Sequence, residues 1–67
     1  MHRITVEAAC EGWLLRRPGW PVELLDDRTW AERAAASHAF EFHQRSGRPA
    51  CAVVAEPKGE QVLARFG

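Results

Sequence analysis

Two histidines in an alanine-rich segment are the first candidates for metal chemistry. His38 and His43 are five residues apart, and on a helix this spacing rotates one imidazole by about 140° from the other. Histidine pairs that bind a metal on a helix need a spacing of three or four, which keeps both rings on one face. The chain also lacks a Cys-x-x-Cys pair that would supply zinc ligands. We therefore expect no metal and no other cofactor.

Adjacent carboxylates and two thiols are the remaining candidates for catalysis. Asp26 and Asp27 could act in acid–base chemistry, but they precede a predicted helix, where the macrodipole stabilises negative charge. Cys51 lies in an apolar segment, where a thiol is inert, whereas Cys10 stands at a strand end and is the more reactive of the two. Neither has a neighbouring base, so the sequence favours two free thiols and a non-enzymatic protein.

The composition excludes several functional classes. Nine basic and nine acidic side chains give a formal net charge of zero, so no overall field attracts the chain to nucleic acid or anionic lipid. No apolar run approaches the ~20 residues of a membrane span. No hydrophobic signal segment precedes the charged start of the chain, and we therefore expect a cytoplasmic protein.

The central element predicted from the sequence is one helix over residues 30–45. Thr29 and Glu32 have the spacing of a capping box. Gly47, followed by Pro49, is a typical end signal. One broad stripe of this helix is expected to face a sheet, and its members are Ala31, Ala34, Ala35, His38, Ala39 and Phe42.

Strands are predicted on both sides of this helix. Alternation over residues 2–10 and shorter patterns over 13–17 and 22–25 indicate three strands before it, with Pro21 favouring an edge position for the third. The apolar run 50–55 indicates a central strand. Residues 61–66 indicate a closing strand with Val62, Ala64 and Phe66 on one face. The prediction is a single α+β domain over residues 1–67, in the order βββαββ, with a mostly antiparallel sheet and the helix on one face.

These landmarks resemble a family of very small bacterial proteins classed as a domain of unknown function. The resemblance spans nearly the whole chain: Gly12-Trp13 opens an inner strand, the capped alanine-rich helix ends near Gly47, and a hairpin at Gly59 leads to a final Phe66-Gly67. It implies this fold and a bacterial cytoplasmic setting, and it transfers no catalytic residue. The segment from Pro18 to Pro21 departs from the plainer polar turn expected there.

A weaker resemblance concerns small antitoxin domains with a partial ribonuclease-H-like fold. Pro18-Gly19, a short strand and then Thr29-x-x-Glu32 are similar to their pattern. Those domains carry a proline-glycine-cysteine turn, where this chain has Trp20. An antitoxin-like domain is therefore one alternative for the function.

Aromatic and arginine residues near the second strand suggest a second alternative. Trp13, Arg16, Arg17 and Trp20 could form a platform on which bases stack while guanidinium groups contact phosphates. The opposing interpretation is that Trp13 faces the core and that the arginines are a solvated strand end. Zero net charge makes nucleic acid the less favoured partner.

Phe40 leads to the main functional prediction. It falls nearly opposite the core stripe of the helix, beside Ala36 and His43. Partial burial beneath the N-terminal strand or beneath Phe66 would explain it, but an apolar patch there would also serve as a contact surface. The sequence thus predicts a non-enzymatic protein-interaction module, with an unidentified protein or a second copy as partner, acting through this patch or through an exposed sheet edge.

Overall fold

A computed structural model describes residues 1–67 and confirms the predicted order of elements. The elements are β1 (His2–Ala9), β2 (Gly12–Arg16), β3 (Glu23–Leu25), α1 (Arg28–Ser46), β4 (Ala50–Glu56) and β5 (Gly59–Phe66). All strands join one sheet in the order β3-β2-β1-β4-β5. The α+β fold class is as predicted.

The pairing of the strands follows from the lengths of their connections. Short turns join β1 to β2, β2 to β3 and β4 to β5, and each of these pairs is antiparallel. The helix lies in the connection from β3 to β4, which allows β4 to run parallel to the central strand β1. β3 is a three-residue edge strand, in agreement with the position of Pro21.

The core lies between α1 and one face of the sheet. Alanine at successive turns of α1 leaves no side chain bulky enough to hold the helix away from the strands. Opposite these alanines, β1, β2 and β4 contribute branched side chains. The fully enclosed cluster consists of Ile4, Val6, Leu15, Ala31, Ala35, Ala39, Ala50, Ala52 and Val54.

The start of α1 differs from the prediction. Asp27, not Thr29, is the N-cap: its backbone is extended and its carboxylate accepts a hydrogen bond from the N–H of Trp30 at 2.9 Å. The helix therefore begins at Arg28, and Glu32 accepts a hydrogen bond from Arg28 instead of closing a capping box. Two cap-forming residue types stand two positions apart, and the sequence does not distinguish them. The predicted end is confirmed, because Gly47 is left-handed at φ 70° and donates to the carbonyl of His43.

Removal of the observed cap should have a measurable cost. Asp27→Ala leaves the N–H of Trp30 without its acceptor, and we expect a loss of about 1 kcal/mol in the free energy of unfolding. Thr29→Ala is the matched control and should change stability by less than half as much. Urea denaturation of both variants measures the difference, and a larger loss in Thr29→Ala would contradict the assignment.

β5 contains an irregularity that reverses one predicted orientation. Ala52 pairs with Ala64, but the next residue of β4, Val53, pairs with Val62, so Leu63 is an extra residue in β5. Such a bulge changes the face on which the following residues lie. Val62 consequently points away from the helix and is 60% exposed, whereas Leu63 and Phe66 pack against the core. The prediction that Val62 shares a face with Ala64 and Phe66 was wrong.

Candidate functional site

The helix covers one face of the sheet, and no element covers the other. Residues paired across a ladder point to the same side, so the register assigns each side chain to a face. We call the uncovered side the open face. Its members are Arg3, Thr5, Glu7, Leu14, Arg16, Leu24, Cys51, Val53, Ala55, Glu60, Val62 and Arg65.

Side chains of the open face form three rows that run across the strands. The basic row contains Arg3, Cys51 and Arg65. The acidic row, near the other end of β1, contains Glu7, Ala55 and Glu60. The middle row lies between them and contains Arg16, Thr5, Val53 and Val62. Because alternate residues of a strand are ~6.6 Å apart, the basic and acidic rows are separated by about 13 Å.

Ion pairs extend over the open face. Arg3 pairs with Glu60, and Arg16 pairs with Glu7, all four groups being at least one-third exposed. Pairs this exposed contribute at most about 1 kcal/mol each. Arg65 is exposed and has no carboxylate within ion-pairing distance in the chain.

Apolar side chains protrude among these charges. Val62 at one edge is 60% exposed and Leu24 at the other edge is 52% exposed. Val53, between them in the sheet, is buried although no helix lies above it. Val53 and its neighbours line a shallow depression of about 180 Å³. The open face therefore combines apolar residues with charges of both signs, which is typical of protein contact surfaces.

Both cysteines are free, and they lie far apart. Cys51 is buried in β4, where it pairs with Arg3 of β1, whereas Cys10 is exposed beyond the far end of β1. Seven residues of extended strand correspond to about 23 Å, well beyond the reach of a disulfide.

The predicted patch on the helix is assembled in the structure. Phe40 contacts Phe66 edge-on, with ring centroids 5.4 Å apart, and remains 44% exposed. His43 stacks on the same phenylalanine at 6.4 Å and lies 2.9 Å from the carbonyl oxygen of Arg48 through Nδ1. Ala36 is half-buried nearby on the helix. Phe40 is thus partly covered within its own chain.

The four residues proposed to contact nucleic acid do not share a surface. Trp13 packs against the core at the start of β2, while Trp20 lies in the loop beyond the other end of that strand. Arg16 and Arg17 point in opposite directions and pair with Glu7 and Glu23, respectively. A base-stacking platform with free guanidinium groups is therefore not formed by these residues.

A cleft that the sequence did not indicate lies between the helix and the loop at Trp20. Its volume is about 360 Å³, and its walls include His2, His38 and Phe42. The guanidinium of Arg17 lies 4.3 Å from the Trp20 ring centroid and donates to Glu23 at 2.7 Å, while its Nε has no partner. Sequence patterns could not reveal this cleft, because its residues come from three separate elements.

His2 at this cleft should titrate unusually. It stacks on Phe42 at 3.7 Å, and desolvation, followed by the charge of the chain's amino terminus, lowers its pKa below 6.5. The unfolded chain thus binds more protons between the two pKa values. His2 stabilises the fold fully above about pH 6.5, and this contribution is lost as pH falls through the lowered pKa.

The dependence of stability on pH that His2 causes can be measured by urea denaturation between pH 5.5 and 7.5. We expect the free energy of unfolding of the native chain to fall more steeply toward pH 5.5 than that of His2→Phe, which keeps an aromatic ring on Phe42. An NMR titration of the His2 ring gives its pKa directly. Identical pH profiles for the two proteins would contradict the assignment.

Other candidate chemistry is not assembled. The structure contains no group of three or more His, Cys, Asp or Glu side chains that could hold a metal ion. Asp27 serves as the helix cap, which agrees with the structural interpretation of the carboxylate pair. No helix has the length and apolar character needed to cross a membrane.

Comparisons with known proteins leave the resemblance stated above untested. A scan against protein-family models and searches of curated proteins and of solved structures each gave no match.

Proposed function

We propose that this chain is a non-enzymatic protein-interaction module and that the open face is its contact surface. The proposal rests on the uncovered face of the sheet, since one helix covers a single face of the five strands and no element covers the other. Sheets bury an apolar face against another element. On the open face Leu24 and Val62 remain exposed to water, and a partner protein would remove both from solvent.

The charges of the open face favour a protein partner over a nucleic acid. Three arginines and two glutamates lie on this face, and two of the arginines are already paired with the glutamates. Binding to phosphates requires several unpaired cations. A nucleic-acid module is the alternative function, and it predicts binding to oligonucleotides that weakens steeply with salt and on Arg16→Ala with Arg17→Ala.

The cellular setting is part of the same proposal. Two free thiols suit a reducing compartment, and the resemblance described above implies a bacterial cytoplasm. We place the module there.

Site-specific photo-crosslinking in the cells that make the protein tests the proposed surface. A photoreactive amino acid replaces Val62 or Leu24 on the open face, or Phe40 in the helix patch, and Arg33 on the exposed side of α1 is the control position. We expect adducts, to any protein, from the two open-face positions and none from Arg33. Adducts from Phe40 alone would move the contact surface to the helix patch, and no adduct from any position would overturn the proposal.

A further inference from the structure

We infer that the partner of the open face is a second copy of this chain, and that the two copies are related by a two-fold axis running along the middle row. This inference rests on the proposed function and specifies its partner. It follows from the distribution of charge on the open face, from the unpaired Arg65 and from the size of the sheet.

In one relative orientation of two copies, the charged rows of one chain are complementary to the charged rows of the other. Two open faces can stack with a two-fold axis between them that runs along the middle row. Rotation about this axis reverses the direction of the strands and places each strand over the same strand of the second copy. The basic row of each chain then lies over the acidic row of its partner. Arg65 faces Glu60 of the second copy, and Arg3 faces Glu7. Each contact occurs twice, as two-fold symmetry requires.

The other in-plane axis is unfavourable. An axis parallel to the strands would keep the strand direction and would place the basic rows of the two chains together and the acidic rows together. Like charges facing each other across an interface oppose association strongly. Along the middle row the one like-charge contact is between the two copies of Arg16, and each Arg16 is already paired with Glu7 of its own chain. The axis along the middle row therefore has fewer like-charge contacts than the axis parallel to the strands.

Arg65 is the one arginine of the open face that has no carboxylate partner within the chain. Arg3 and Arg16 each pair with a glutamate, whereas Arg65 is exposed without a carboxylate in range. In the proposed dimer its guanidinium approaches Glu60 of the second copy. Val62 lies between Glu60 and Arg65 on β5. In the dimer it lies over Val62 of the second copy and loses its contact with water.

The size of the face predicts how tightly the copies bind. The five strands have eight, five, three, seven and eight residues. At ~3.3 Å per residue and ~4.8 Å between strands, the face measures about 490 Å² per chain. The total of about 1,000 Å² lies below the ~1,200 Å² at which stable specific interfaces begin, in the range of weak and transient contacts. We therefore expect a reversible dimer whose population depends on protein concentration in the micromolar range.

Charge reversal followed by charge exchange tests this orientation. Arg65→Glu creates a like-charge contact with Glu60 twice in each dimer, and we expect the dissociation constant to rise about tenfold or more. Glu60→Arg should weaken the dimer similarly. The double variant Arg65→Glu with Glu60→Arg restores opposite charges across the axis and should recover most of the native affinity, as should an equal mixture of the two single variants.

Sedimentation equilibrium in low salt measures each dissociation constant, and urea denaturation verifies that each variant folds. Glu41→Arg on the exposed side of α1 is the control, with a charge change of the same size and no expected effect. A native chain that stays monomeric at millimolar concentration overturns the inference, as does a double variant as weak as the single ones. If open-face crosslinks to another protein persist while the purified chain is monomeric, the proposed function stands and the inference fails.

Discussion

Replacement of Gly12 by alanine should destabilise the fold by roughly 3 kcal/mol. Gly12 has φ +152°, and a Cβ added there would lie 2.3 Å from the carbonyl oxygen of Leu25. Backbone strain and this collision act together, and the colliding atom belongs to backbone that cannot move without displacing β3. Since β3 pairs only with β2, we expect the edge of the sheet to loosen first.

Gly59→Ala separates the two causes. Gly59 also has a positive φ, +128°, but an added Cβ would meet no heavy atom within 4 Å. We expect a loss of about 1 kcal/mol from strain alone. Urea denaturation of both variants measures the difference in the free energy of unfolding. Equal losses would show that the close contact with the carbonyl of Leu25 does not add to the cost at residue 12.

Ile4→Ala should have a comparable effect through the core. Ile4 is fully buried at the centre of the sheet, beneath the alanines of α1. Removing three carbons leaves a cavity that the surrounding strands cannot close, and the expected loss is about 3 kcal/mol. Val62→Ala is the control on an exposed apolar residue and should cost well under 1 kcal/mol.

A domain of this size has only a few kcal/mol of stability, so Ile4→Ala could be unfolded in buffer. Ile4→Val, with an expected loss of about 1 kcal/mol, then provides the measurement. A stabilising osmolyte makes the unfolding transition of the alanine variant observable. Equal stability of the native chain and Ile4→Val would contradict the placement of Ile4 in the core.

Elements whose residues carry a regular pattern were predictable from the sequence. Ile4 and Val6 alternate with polar residues because β1 is covered on one side only, and the alanine spacing of α1 reflects its contact with the sheet. Gly47 ends the helix because its left-handed backbone is unfavourable for other residues. Each of these signals lies within one element.

Features that depend on the relation between elements were not predictable. The bulge at Leu63 changes the orientation of Val62, and residues 61–66 carry no signal for it. The rows of the open face require the register of three strand pairs. The sequence consequently directed attention to Phe40, whose exposure on the helix could be inferred, and not to the sheet.

Phe40 and the open face remain alternative contact surfaces of one interaction module. Phe40 already contacts Phe66 within its chain, which reduces what a partner could gain there. Val62 has no such cover and lies in the middle row. Glutamate at either position is exposed in the monomer, so neither substitution should unfold the chain.

The most direct test is sedimentation equilibrium of the native chain, Val62→Glu and Phe40→Glu over the same concentration range. The account predicts a concentration-dependent dimer for the native chain and for Phe40→Glu, and a monomer for Val62→Glu. A dimer lost only in Phe40→Glu would show that the helix patch forms the interface, and would contradict the role assigned to the open face.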